Sequence, residues 1–162
     1  MSGFIIFALP VARGILGISP MPGRGGHYAE DLAHMKDWKP ALVISMATEV
    51  EMVSAGAGSL GQDLLFSGAR WHHIPVADYG VPGADQKAAW AAAAEPACKA
   101  LQGGGRVLIH CMGGCGRSGM AALRLMVACG EKPGEALERL RAVRSCAVET
   151  EGQFEWARKR SG

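Results

Sequence analysis

Arg106 to His110 reads as a short apolar strand that runs directly into CMGGCGR (Cys111 to Arg117) and then into an apolar helix-forming stretch from about Ser118 to Cys129. A strand, a glycine-rich turn and a helix in immediate succession constrain the fold more than any other part of the chain. Ala41 to Met46 (ALVISM) is a continuous apolar run, the pattern of a strand covered on both faces, and it favours a parallel sheet. Gly3 to Leu9, Gly14 to Ile18 and Trp71 to Val76 read as further strands. Tyr28, Leu32, Met35 and Trp38 recur at helical spacing over His27 to Trp38. Other helical segments are Ala47 to Val53, Gln62 to Gly68, Ala84 to Leu101, Gly134 to Val143 and Gln153 to Lys159, with Pro96 expected to kink or split the alanine-rich one. Strands alternating with helices predict an α/β fold: a central, mainly parallel sheet of about four or five strands flanked by helices.

At 162 residues, with 49% hydrophobic and 20% charged, the chain can bury a core as one domain over 1–162 without disulfide or metal support. A formal charge of +2 is too mild to make nucleic acid the expected partner. No run approaches the roughly 20 apolar residues of a membrane helix. Phe4 to Ala12 is apolar, but no basic residue precedes it and Pro10 interrupts it, so it reads as a strand and not as a signal segment. The five cysteines are odd in number and include no CxxC pair. They suit a reducing compartment, which makes the cytoplasm the expected location. Cys98, Cys129 and Cys146 are expected as small core residues in helical stretches. The histidines form no metal grouping, and no metal or other cofactor is expected.

Cys111 stands at a strand's end with Arg117 six residues later and glycines between them. Gly113, Gly114 and Gly116 can adopt positive φ without steric cost, so successive backbone N–H groups can face one concavity while the following helix presents its positive end. Such a cradle suits a phosphate. Arg117 offers a planar donor fork for two phosphate oxygens, and the positive field favours Cys111 as the thiolate that attacks phosphorus. For this spacing alone, the bland alternative is a buried cysteine and a surface arginine.

His110, Cys111, Gly114, Arg117, Ser118 and Gly119 together resemble the HCxxGxxR[ST]G signature of the cysteine-dependent protein tyrosine and dual-specificity phosphatases, although many dual-specificity members carry alanine where Gly113 stands. His27 to Met52, with DLAHMKDW and ISMATEVEM, is similar to small single-domain dual-specificity and kinase-associated phosphatases. The resemblance implies a phosphotyrosine phosphatase-like fold. It implies Cys111 as nucleophile, with Met112, Gly113, Gly114, Cys115, Gly116 and Arg117 binding the phosphoryl group. Asp78, in a loop with Pro82 shortly after, resembles the family's general acid; Asp85 is the alternative, or else caps the alanine-rich helix. Ser118 would donate to the Cys111 sulfur, or simply cap a helix. Gln153 would orient the hydrolytic water, or lie on a solvated helix face. His110 would support the loop from behind, and Arg24 would reach the phosphate mouth or remain solvated. Cys115 is a loop filler or a partner for Cys111 under oxidation. The implied substrate is a phosphorylated protein or a small phosphomonoester, turned over through a cysteinyl-phosphate. The alternatives are a phosphoinositide, inositol phosphate or nucleotide phosphatase, or a catalytically silent phosphate-binding module; rhodanese or arsenate-reductase chemistry does not account for Asp78, Ser118 and Gln153 together.

Overall fold

The apolar runs that read as two-sided strands occupy the middle of a five-stranded sheet in the computed structural model, which describes residues 3–160. The strands are β1 (Phe7–Val11), β2 (Gly14–Ser19), β3 (Leu42–Ser45), β4 (Arg70–His73) and β5 (Arg106–His110), in the order β1-β2-β5-β3-β4. Only β1 is antiparallel to its neighbour; it forms a hairpin with β2, and the other pairings are parallel. This is the mainly parallel α/β architecture expected from the sequence.

The helices are α1 (Tyr28–Asp37), α2 (Glu49–Ser54), α3 (Leu60–Phe66), α4 (Lys87–Gln102), α5 (Gly116–Ala128), α6 (Pro133–Val143) and α7 (Glu151–Ala157). Successive strand residues point to opposite faces, so Val107 and Ile109 of β5 join one core with Trp90, Met120 and Leu140, while Leu108 joins another with Met35, Leu60 and Leu64. Burial on both faces explains the unbroken apolar character of β3 and β5. Register then sets the site. Ser19 and Ser45 both pair with His110, so three parallel strands end side by side and their following loops converge.

Three local expectations are corrected. Helix α4 runs unbroken through Pro96, and a separate turn (Ala84–Gln86) precedes it. The carbonyl that Pro96 leaves without a donor belongs to the exposed Ala92, so water can satisfy it. Asp85 caps no helix: Gly83 is the cap residue, and Gln86 closes the turn by accepting from the Gly83 N–H. Cys146 is not in a helix but in the turn after α6, where it is disulfide-bonded to Cys115.

Candidate active site

The loop between β5 and α5 curls around an open cavity of about 200 Å³ lined by Cys111, Met112, Gly113, Cys115, Gly116 and Arg117, with Asp78 on its rim. Of the three glycines expected to take positive φ only Gly114 does so, at 76°, and a side chain there would lie 2.9 Å from the Ser19–Pro20 backbone. Gly116 is required for a different reason: a Cβ would strike the Glu149 carboxylate and come within 2.9 Å of Gln153 Oε1. The Gly113 and Gly114 carbonyls both accept from Arg144, at 3.0 Å each, and Met112 O accepts from Met21 N at 2.9 Å. With these carbonyls tied to the surrounding protein, the N–H groups of Met112 through Arg117 have no acceptor among the described residues. They are the donors that an anion in the cavity would meet.

Behind the loop, buried His110 lies 3.1 Å from the Cys111 carbonyl through Nδ1 and 2.5 Å from Ser45 Oγ through Nε2. Burial, the largest influence, pushes its pKa down to about 4, so the ring is neutral near pH 7. Trp71 Nε1 donates to Ser45 Oγ, which fits Ser45 donating to Nε2 and Nδ1–H donating to the loop. Cys111 is 2% exposed, and its Sγ lies 3.2 Å from Ser118 Oγ. Ser118 occupies the third position of α5, so it is not the helix cap; Cys115 is.

Arg117 is 2% exposed and held by a residue that sequence reasoning missed. Its Nη1 donates to Glu51 Oε1 at 2.6 Å and to the Val76 carbonyl at 2.8 Å, and its Nη2 donates to Glu51 Oε2 at 2.9 Å. A readable signal existed: Thr48 to Glu51 is a T-x-x-E capping box, which starts α2 and turns Glu51 toward the site. The Glu51 carboxyl is held down to about 2, first by the hydrogen bonds from Arg117, with Thr48 adding and partial burial opposing. Since this folded value lies below the ordinary glutamate value of 4.5, the pair's stabilisation is complete above about pH 4.5 and is lost as pH falls through about 2. Discounted for the partial exposure of Glu51, it amounts to about 2 kcal/mol. Glu51→Gln is therefore expected to unfold at lower denaturant than wild type at pH 7, with the gap closing as pH falls from about 5 to about 2. Denaturation series across that range check it, and a pH-independent gap would sink the argument.

Asp78 is 60% exposed; its Oδ1 lies 3.8 Å from Arg117 Nη2 and accepts from Tyr79 N at 3.0 Å. Asp85 does not line this cavity. Arg24 and Glu149 do, together with Tyr79. Gln153 is buried, not solvated: Oε1 accepts from Glu149 N at 2.8 Å, and Nε2 donates to the Gly80 carbonyl at 3.3 Å. It thus joins α7 to the loop that carries Asp78. Among the described residues, no group of three or more His, Cys, Asp or Glu is arranged to hold a metal ion, and no helix is long and apolar enough to cross a membrane.

The Cys115–Cys146 bond ties the cavity loop to the turn after α6 across 31 residues, so Cys115 is neither a loop filler nor paired with Cys111, the two readings the sequence offered. Cys98, Cys111 and Cys129 are free. Closing a loop of that length restricts the unfolded chain by about 3.7 kcal/mol. Cys146→Ser, or addition of a reductant, is expected to lower the melting temperature by roughly 7–15 °C. Identical melting with and without reductant would show that the two thiols are unpaired in solution.

Residues 26–161 match the family model described as PTP-SAK, Swiss Army Knife protein, DSP-PTPase phosphatase domain. Cyclin-dependent kinase inhibitor 3 of Mus musculus is 39% identical over 87 residues, which span 52% of this chain and 40% of that relative, so less than half of the relative's length is matched. Among solved structures, a kinase associated phosphatase with serine substituted for its catalytic-site cysteine aligns with a TM-score of 0.83 at 25% identity, covering 97% of this chain and 93% of that one. Tk-PTP in its active form aligns with a TM-score of 0.70 at 28% identity, covering 90% of each chain.

Proposed function

This chain belongs to the DSP-PTPase phosphatase domain family, and on that premise we propose that it hydrolyses phosphomonoesters on proteins, phosphotyrosine and phosphoserine or phosphothreonine alike, through a cysteinyl-phosphate intermediate. The observation that carries the reading is the placement of Cys111 in a cavity whose backbone donors, Met112 through Arg117, have no acceptor among the described residues. Those N–H groups receive the non-bridging phosphoryl oxygens. Arg117 spends both Nη atoms on Glu51 but leaves Nε and one Nη2 hydrogen, so its side edge is the fork that meets the phosphate. Glu51 thereby fixes the plane of the guanidinium.

Cys111 Sγ attacks phosphorus as the bond to the leaving oxygen breaks, and Asp78 delivers a proton to that oxygen. Water then attacks the cysteinyl-phosphate with Asp78 as base, and the Ser118 hydroxyl, 3.2 Å from the sulfur, donates to the departing thiolate. Gln153, whose Nε2 is engaged with Gly80, acts first by holding the Asp78 loop and reaches the attacking water on releasing that carbonyl. A cytoplasmic, reducing location belongs to the proposal because Cys111 must stay a free thiol; the Cys115–Cys146 bond is the feature at odds with it.

The test is phosphate release from phosphotyrosine, phosphoserine and phosphothreonine peptides, together with acid quenching to trap labelled phosphate on the protein. Release with covalent label supports the mechanism. Binding without release or label would make the chain a phosphate-binding module.

A further inference from the structure

A second cavity, of about 290 Å³, opens between α4 and α7 beyond the Pro82–Gly83 end of the loop that carries Asp78, and it shares no lining residue with the first. Trp90 and Trp156 form its wall, packed edge to face with ring centroids 4.9 Å apart. Lys87, Arg124, Lys159 and Arg160 supply its charge, and no carboxylate among the described residues lines it. Arg124 is the telling residue. It is only 5% exposed, its guanidinium stacks 4.3 Å from the Trp156 ring centre, and Nη1 donates to the Trp156 carbonyl at 3.1 Å.

Among the described residues Arg124 has no acidic partner, and burial pulls its pKa below the ordinary arginine value. A buried guanidinium with one hydrogen bond and no counter-charge among the described residues is costly, and Arg124 lines the cavity. Among the described residues the surrounding lysines and Arg160 form no ion pair either, so these residues leave the positive charge of the cavity unmatched.

From Arg124 without an acidic partner, the indole wall and the absence of a carboxylate among the described lining residues, we infer that this cavity is a second anion subsite, which takes an acidic or phosphorylated side chain of the same peptide whose phosphoryl group enters the cavity of Cys111. A concave, aromatic-walled pocket fits a side chain better than a membrane surface, which would need protruding apolar groups. The inference rests on the phosphatase reading for its substrate, though the binding it describes does not depend on turnover.

Two phosphotyrosine peptides, one with a glutamate- or phosphoserine-rich flank and one with a neutral flank, serve as probes. The acidic-flank peptide is expected to show roughly tenfold lower KM, and this preference is expected to disappear in Arg124→Met and, should that variant misfold, in the surface pair Lys87→Gln/Lys159→Gln. Titration of the acidic-flank peptide should also move the Trp90 and Trp156 indole N–H resonances, and 0.5 M salt should suppress the movement. Absence of turnover on both peptides with the indole shifts intact would overturn the phosphatase reading alone. Equal KM values with unmoved indoles, or a preference that survives both variants, would overturn the subsite.

Discussion

Cys111→Ser is expected to lower turnover by on the order of 10⁴-fold or more while leaving phosphopeptide binding within a few-fold of wild type. The two halves of this expectation have separate causes. Binding comes from the free loop N–H groups and the outer edge of Arg117, neither of which touches the sulfur's identity. Attack comes from the sulfur alone: a serine hydroxyl is a far weaker acid than a thiol, and no base among the described residues bonds to Cys111 to remove its proton, the nearest partner being the Ser118 hydroxyl. Serine is close in size to cysteine, and the site, though only 2% exposed, already contains Ser118 as a polar partner, so the melting temperature should change little. Substrate dissociation constant and single-turnover rate, measured separately, distinguish this from a folding defect. A variant that binds and still turns over at the wild-type rate would remove Cys111 from the mechanism.

Much of this site was readable because its chemistry is local in sequence. The cradle from Cys111 to Arg117 lies on one strand-turn-helix unit, so residue types and spacing place its parts within a few ångströms of one another. The strand runs were readable for an equally local reason, since β3 and β5 are buried on both faces and carry no alternation to obscure them. Contacts made by the fold at long range were not readable. Glu51 and Arg144 reach the loop from 66 and about 30 residues away, and only the parallel register of β3 with β5 brings α2 beside the loop. The Cys115–Cys146 bond is of the same kind, since its halves are 31 residues apart and meet because α5 and α6 pack against each other. Pro96 failed as a helix breaker because its missing hydrogen bond falls on an exposed turn, and exposure of a single carbonyl is not written in the local sequence.

Asp78→Asn is expected to slow hydrolysis of phosphoserine and phosphothreonine peptides by roughly 10²- to 10⁴-fold, and that of p-nitrophenyl phosphate much less. An alkoxide is a poor leaving group and needs its proton in the transition state, whereas p-nitrophenolate departs readily without one. Asparagine keeps the shape of the side chain and can still accept from Tyr79 N, so the loop should hold its conformation. What it cannot do is give up an acidic proton at the rim of the cavity, where the Asp78 carboxyl lies 3.8 Å from Arg117 Nη2. The leaving-group dependence is therefore the informative readout, because a displaced loop would slow all substrates together. Two other carboxylates set the controls. Asp85→Asn should leave the pattern unchanged, since Asp85 lies in the turn before α4 and outside the cavity. Glu149 lines the same cavity and is the competitor that geometry allows. If Glu149→Gln shows the leaving-group dependence and Asp78→Asn does not, the proton comes from the segment before α7, and Gln153, bonded to both Glu149 N and Gly80 O, positions a different acid from the one proposed.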